Sequence, residues 1–501
     1  MFRKAIRFGA LILVFTLLLG SLSACKGPAS SDDEERWRLP TTTTETEEQD
    51  SSNRPTEMST EYPIITEQDA EVTIWSNSDD INIMTQVLME WEPYIIFEYD
   101  EFSSTDELYR QSVLAASETA DCPDVIVMDS SFVEEFVNMD DLLYDISDLR
   151  PYVDAMEIYP NIIEMGTNDK TGEIRAYSYQ NNPGVVLYRR SLAREYFGTD
   201  DPSEIQKLMS DWEKFTEMAE IVKTKSEGKS FMLSSVDDFC LPFLNNRHSP
   251  WIVENKLTMD PMIEDLAELA FTFGRNDYTA NVTPWDAEWF EAITDDLKDE
   301  NGDKNQIFSY FLTSEEFLSV YEYTGNSVTD GDWACVPGPM PYSSGGTWLG
   351  VMKNARSSET AKTFVRFCTL DEENLTDWAT GVYTQEYLAD LNSEFSMPVG
   401  SDALFQLAGD FVSSQKVVES IIPFFDDSEM SDFLGGQNFY EAFAAAALNC
   451  PVDVIQGDDE RIHELFAEAL HSYVYEGMSQ DDMFLTFQKA VQKEFPNIMV
   501  D

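Results

Sequence analysis

The sequence predicts an α/β protein built of more than one globular unit, on three observations. A short strand, Glu71-Val72-Thr73-Ile74-Trp75, is followed by a helix and then by Pro123-Asp124-Val125-Ile126-Val127-Met128-Asp129. The unbroken apolar centre of that second run suits a parallel strand buried on both faces, and strand, helix, strand at this spacing implies a right-handed crossover. The chain has 501 residues, 43% hydrophobic and 13% aromatic, enough for a core and long for a single one.

The elements follow in order. Ser104-x-x-Glu107 is a capping box that opens the first helix, which runs to about Ala116. A second box, Ser210-x-x-Glu213, opens a helix with Trp212, Phe215, Ala219 and Val222 on one face. Helices dominate after residue 190, apart from a strand- and turn-rich stretch around 320–351. Ile462, Leu465, Phe466, Leu470 and Val474 then repeat at helical spacing up to Gly477. No internal repeat is present.

The N-terminus reads as a targeting segment. Arg3, Lys4 and Arg7 precede the apolar run Phe8 to Leu19, which is a secretory signal by pattern and too short to span a bilayer. Leu22-Ser23-Ala24-Cys25 resembles a bacterial lipobox, which implies a diacylglyceryl group on Cys25 after removal of residues 1–24. Two acyl chains hold a protein at a membrane where one is marginal. Residues 25–70 read as a flexible tether: between 26 and 69 there are 12 acids, 4 bases and almost no apolar residues.

The formal charge is −62, and residues 70–501 alone carry 82 acids against 25 bases. That balance excludes binding to a nucleic-acid backbone and unaided adsorption to an anionic membrane. Five cysteines remain after Cys25, at 122, 240, 335, 368 and 450, with no CxxC pair, and their spacing leaves the number of bridges open. Catalytic motifs fail on inspection. His463-Glu464 lacks the second histidine of HExxH because position 467 is Ala. Gly228-Lys229-Ser230 lacks the first glycine of a P-loop, which would fall at Lys223. The turns at Asn301-Gly302 and Asp169 to Gly172 lack EF-hand spacing. No metal, cofactor or catalytic set is therefore expected.

The aromatics are more informative. Trp75 and Asp129 end their strands, where open α/β sheets bind ligands. Tyr177 and Tyr179 precede Gln180-Asn181-Asn182-Pro183; Trp251, Trp285 and Trp289 fall in turn-rich or helix-edge sequence; Trp348 lies in Gly345-Gly346-Thr347-Trp348-Leu349-Gly350. Sugars pack their C–H faces on flat rings and need planar donors and acceptors for their hydroxyls, so indoles beside carboxylates and amides fit a sugar cleft. Trp91, Trp212 and Trp378, inside helical patterns, are assigned to the core.

Across residues 71–500 the chain resembles the extracellular solute-binding proteins of family 1, the maltose-binding-protein-like lipoproteins of bacterial ABC importers. The likeness is carried by the lipobox, by Val72-Thr73-Ile74-Trp75-Ser76, and by Pro123 to Val127 continuing to Asp145-Ile146-Ser147-Asp148-Leu149. It continues in Val185 to Leu192, Ser210-Asp211-Trp212-Glu213-Lys214-Phe215, Gly331-Asp332-Trp333 through Pro337-Gly338-Pro339, Gly345 to Gly350, and Ala361 to Phe367. Arg189, where Asn is usual, and the strong acidity depart from the family.

The resemblance implies a two-lobed periplasmic-binding-protein-like fold, with a hinged ligand cleft between lobe one (71–180 with 341–385) and lobe two (181–340 with 386–501). It implies a carbohydrate ligand held by Trp75, Asp129, Tyr179, Asn181, Gly346 and Trp348 on the first lobe and hinge, and by Trp251 and Trp285 on the second. The four tryptophans would stack on pyranose rings, and Asp129 and Asn181 would bond hydroxyls. The chain would act as a monomer that closes on its ligand and docks on an ABC permease driven by a cytoplasmic ATPase. The competing readings are a non-sugar solute (peptide, polyamine or glycerophosphodiester) and a surface glycosidase.

Overall fold

Val72 and Ile74 alternate with Thr73 and Trp75, and the chain lays them down as strand β1 (Glu71–Ser76) with the apolar pair fully buried. This computed structural model describes residues 70–76, 80–92, 94–102, 106–298, 304–324, 327–384, 387, 409–452, 454 and 458–500. The expected signal segment, the tether up to residue 69, Cys25 and Ser104 of the first capping box lie outside the described residues.

β1 pairs in parallel with β2 (Ile96–Glu101) and with β3 (Val125–Asp129). β3 is the apolar run expected from the sequence, and Val125 to Met128 are completely buried. The helices Asp80–Trp91 and Asp106–Ala116 make the crossovers. The helix Asp80–Trp91 and β2 were not anticipated. β2 carries Glu98, Asp100 and Glu101 on an exposed edge, so it lacks the apolar run that marks β3.

Five further strands complete this sheet and form a second: β4 (Ala176–Ser178), β5 (Gly184–Arg189), β6 (Ser309–Thr313), β7 (Trp333–Val336) and β8 (Thr347–Val351). The first sheet has the order β2-β1-β3-β8-β4, with β8 antiparallel to both neighbours. The second has the order β6-β5-β7 and is antiparallel. Every residue of β5 is buried. Val185 and Leu187 face a core continuous with that of the first sheet, while Val186 and Tyr188 face a second core with Phe215, Phe239, Trp251 and Phe466.

Three neighbouring segments run between the sheets. In 179–184 and 342–346, Gly184 N–H donates to Tyr342 O at 2.7 Å and Ser344 N–H to Asn182 O at 3.1 Å. The third, 409–414, is tied in by Asn181 N–H to Phe411 O (2.8 Å) and Ser413 N–H to Tyr179 O (2.9 Å). Beyond it, the helix Gln415–Ile421 packs on Arg150–Met156 and Glu372–Ala379, and Phe439–Ala447 packs on β5 and β7. Residues 409–447 therefore bridge the surroundings of both sheets.

Local details correct two expectations. The helix Trp212–Lys225 is capped by Asp211, not Ser210: the Asp211 carboxylate accepts from Lys214 N–H at 2.9 Å, and the Ser210 hydroxyl turns to the Lys214 ammonium and the Asp211 carboxylate. The stretch around 320–351 begins as the end of the helix Ser314–Thr324 before turning to strand. The C-terminal stripe is helical as expected, over Asp459–Tyr475. The five described cysteines are all free. Among the described residues no helix is long and apolar enough to cross a membrane.

One buried acid makes stability depend on pH. Asp238 is 9% exposed, and its Oδ2 accepts from Ser234 Oγ at 2.6 Å and Ser235 N–H at 2.9 Å. Burial, opposed by the Ser234 bond, pushes its carboxyl up to about 7. A folded value above the unfolded one stabilises below the unfolded value, and this contribution is lost as pH rises through about 7. His463, held down to about 3 by burial and then by Arg247, acts in the opposite sense below its unfolded value. The difference between variant and parent isolates Asp238. Asp238→Asn keeps an acceptor for both donors, so the variant is expected to gain stability relative to the parent from pH 4 to 8, by up to about 4 kcal/mol. Thermal melts across that range would show it; parallel curves for the two proteins would refute the assignment.

Candidate functional site

A cavity lies where the connecting segments meet the first sheet. Its wall includes Ser130, at the start of the helix Ser130–Asn138, and Asn161, in the helix Pro160–Met165. Asn181 and Asn182 from the first connecting segment, Ser343 to Gly345 from the second, and Trp348 on β8 close it. Ile162 and Met165 add an apolar patch, and no charged side chain lines the cavity.

Its polar groups are incompletely bonded. Asn161 Nδ2 donates to Asn181 Oδ1 at 3.2 Å, which leaves Asn161 Oδ1 and Asn181 Nδ2 with no partner. The two residues are 4% and 1% exposed. Orphaned buried amides cost about 1–3 kcal/mol each, so a matched pair beside a cavity is a place for a ligand that both donates and accepts. Trp348 is 1% exposed, and its indole N–H is also unpaired. Unpaired indoles occur too at Trp212, Trp251, Trp289 and Trp333, in or against the apolar cores; Trp348 differs in lining the cavity.

Two glycines allow this packing. Gly345 and Gly346 have φ of 84° and 106°. A Cβ on Gly345 would stand 3.0 Å from Asn182 Nδ2 and 3.4 Å from Glu315 Oε2, and one on Gly346 would stand 3.0 Å from the Trp348 ring.

Carboxylates stand behind the cavity wall and behind the connecting segment that leads to it. Asn182 Nδ2 donates to Glu315 Oε2 at 3.1 Å, and Asp129 Oδ1 lies 3.5 Å from Ser130 Oγ while capping its helix through Ser131 N–H at 2.8 Å. Asp80 accepts from Tyr179 at 2.8 Å. Asp410 accepts from Gln180 at 2.9 Å and from the Trp378 indole at 2.6 Å. Glu315 is reached by solvent yet walled by protein on most sides. Burial, then Asp410, Asp80, Glu316 and Asp129, push its carboxyl up to about 7. Among the described residues no group of three or more His, Cys, Asp or Glu side chains could hold a metal ion.

The residues singled out from the sequence divide into groups. Asn181 and Trp348 line the cavity, and Asp129 and Gly346 adjoin its wall. Trp348 is almost wholly buried with Gly346 close against its ring, so it offers no open face for stacking. Tyr179 is wholly buried. Burial and then Asp80 and Asp410 hold its hydroxyl protonated, and it supports the connecting segment rather than the cavity wall. Trp75 is partly exposed at the end of β1, where its indole donates to Asp100 at 3.1 Å and its ring meets Phe102. Trp285 packs on Trp289 and Phe290 away from the cavity wall.

Trp251 is a core residue. It is 0% exposed among Phe466, Phe487 and His463, with the Arg247 guanidinium over its ring. Arg189 is held by Asp296 and Asp332 and does not line the cavity. The sequence reading missed Asn161, Ser343, Ser344 and Glu315. The small polar run Ser343-Ser344-Gly345-Gly346 was the available signal for two of them; nothing local marks Asn161 or Glu315.

Residues 97–389, more than half of the chain, match the family model for bacterial extracellular solute-binding proteins. The chain belongs to that family. This solute-binding protein shares its two-lobed α/β fold with solved structures. An extracellular solute-binding protein of family 1 is 16% identical, with a TM-score of 0.64 over 85% of this chain and 99% of its own. The sugar-binding protein MalE of Xanthomonas citri is 13% identical, with a TM-score of 0.60 over 85% and 97%. The galacto-N-biose/lacto-N-biose I-binding protein of the ABC transporter of Bifidobacterium longum, in complex with lacto-N-biose, is 14% identical, with a TM-score of 0.55 over 87% and 100%. At these identities the likeness is one of fold. No curated protein matches the chain in sequence. As a solute-binding protein it is a transport receptor rather than an enzyme.

Proposed function

We propose that this solute-binding protein captures a carbohydrate, an oligosaccharide, between its lobes and delivers it to the permease of an ABC importer powered by a cytoplasmic ATPase. The observation that carries the reading is the cavity wall: an orphan acceptor on Asn161 and orphan donors on Asn181 and Trp348, among the serines at 130, 343 and 344. Hydroxyls both donate and accept, so a sugar satisfies such a wall. Trp75 and Asp129 extend it toward the strand ends. We assign lobe one to 71–180 with 341–385 and lobe two to 181–340 with 386–501, joined at the three connecting segments. The ligand stabilises the closed arrangement because it touches both lobes only there. A diacylglyceryl group on Cys25 and the acidic segment after it would hold the monomeric receptor at the outer face of the membrane.

Titration calorimetry against neutral and amine-bearing oligosaccharides of varied linkage tests the reading. Binding of at least one saccharide is expected, with stabilisation of about 2.7 kcal/mol at a hundredfold excess over Kd. Heat from peptides or glycerophosphodiesters and none from any saccharide would overturn it.

A further inference from the structure

The proposed saccharide site faces a charge that its own wall does not neutralise. Glu315 and Asp129 each stand one residue behind the cavity. Glu315 meets Asn182 and Gly345, and Asp129 meets Ser130, all three of which line it. Asp80, at the start of its helix, and Asp410, in the third connecting segment, lie against Tyr179 and Gln180 of the first. Among the described residues no lysine or arginine forms an ion pair with Asp129, Glu315 or Asp410. The arginines of β5 and the helix after it, and Arg247, pair with other acids: Arg189 with Asp296 and Asp332, Arg190 with Asp200, and Arg247 with Asp459. The acids are also not grouped as a metal site would need.

Two independent requirements therefore act on one ligand. The nine-tenths-buried amides need an acceptor for Asn181 Nδ2 and a donor for Asn161 Oδ1, and the Trp348 indole needs a second acceptor. The carboxylates favour a cation. A polyamine offers ammonium donors but no acceptor, so it leaves Asn181 and Trp348 unpaired. A neutral sugar offers acceptors but leaves Glu315 and Asp129 without a counter-charge. A saccharide bearing an amine meets both.

Building on the carbohydrate reading, we propose that the ligand is an amine-bearing saccharide whose ammonium is held at the Glu315 side of the cavity, within the field of Asp129. Its hydroxyl and ring oxygens take the Asn181 and Trp348 donors, and a hydroxyl or the ammonium donates to Asn161. Because burial and neighbouring carboxylates raise the Glu315 carboxyl, seating an ammonium beside it releases a proton near neutral pH.

The test is calorimetry on the full chain with saccharide pairs matched in linkage and length. β-1,4, β-1,3 and α-1,4 oligomers of glucosamine are compared with their N-acetylated forms, their hydroxyl counterparts and spermidine. The amine form is expected to bind at least about tenfold more tightly than its acetylated and hydroxyl partners at low salt. The margin should shrink at high salt, and the heat should vary with buffer ionisation because protons are released. Glu315→Gln is expected to bring the amine form down to the affinity of its neutral partner. Equal binding of amine and neutral forms, or an amine preference that survives Glu315→Gln, overturns this proposal and leaves the carbohydrate reading standing. Binding of spermidine alone, or of no saccharide, overturns both.

Discussion

Replacing Asn161 and Asn181 together by leucine is expected to abolish saccharide binding while raising the melting temperature. In the parent each residue buries one amide atom without a partner, at about 1–3 kcal/mol apiece. The two bond each other through Asn161 Nδ2 and Asn181 Oδ1, so removing both together strands neither. Leucine is of similar size, and the backbone bond from Asn181 N–H to Phe411 O is untouched. Binding loses an acceptor and a donor at once, about two orders of magnitude or more in Kd. Opposite movement of stability and affinity marks polar groups kept for a ligand. Calorimetry and thermal melts on the double variant read both; a variant that melts lower, or that binds like the parent, would refute this role for the pair.

The largest loss of stability is expected at a different buried site. Arg247 and Asp459 have side chains 1% and 0% exposed, and Arg247 Nη2 meets Asp459 Oδ2 at 2.7 Å. Arg247 also donates to Leu244 O at 2.9 Å and covers the Trp251 ring. Arg247→Met keeps most of the volume but leaves a carboxylate in the second core without its guanidinium, at a cost of about 3–5 kcal/mol. Adding Asp459→Leu removes the stranded charge, and most of the loss is expected to return. Urea unfolding followed by tryptophan fluorescence distinguishes the cases. A single variant as stable as the parent, or a double variant no better than the single, would contradict the account.

What could be read from the sequence was whatever local chemistry determines. The apolar run at Val125 to Met128 allowed only a strand buried on both faces, and it forms the middle of the first sheet. The C-terminal stripe was equally plain. At Ser210-Asp211 two good capping residues sit side by side, and only the backbone angle at Asp211 decides between them. Trp251 shows the limit for aromatics. It stands just before a turn at Glu254 and Asn255, both with positive φ, so local sequence suggests a loop; helices more than 200 residues later bury it.

The site was partly legible for the same reason. Asn181 and Trp348 lie in segments whose composition is unusual on its face. Asn161 sits in a six-residue helix and reaches Asn181 only through the path of the chain. Glu315 is one acid among 94 Asp and Glu, and becomes distinctive only because the fold sets it against Asn182 and Gly345.

The proposed function turns on two lobes closing on a saccharide at the cavity beside Asn161, Asn181 and Trp348. Small-angle X-ray scattering on the parent and on the Asn161→Leu/Asn181→Leu variant, with and without the saccharide that binds most tightly by calorimetry, tests it most directly. The parent is expected to contract to a smaller radius of gyration on saturation, and the variant to keep its radius. A saturated parent whose radius does not change, or a variant that contracts as the parent does, would contradict it.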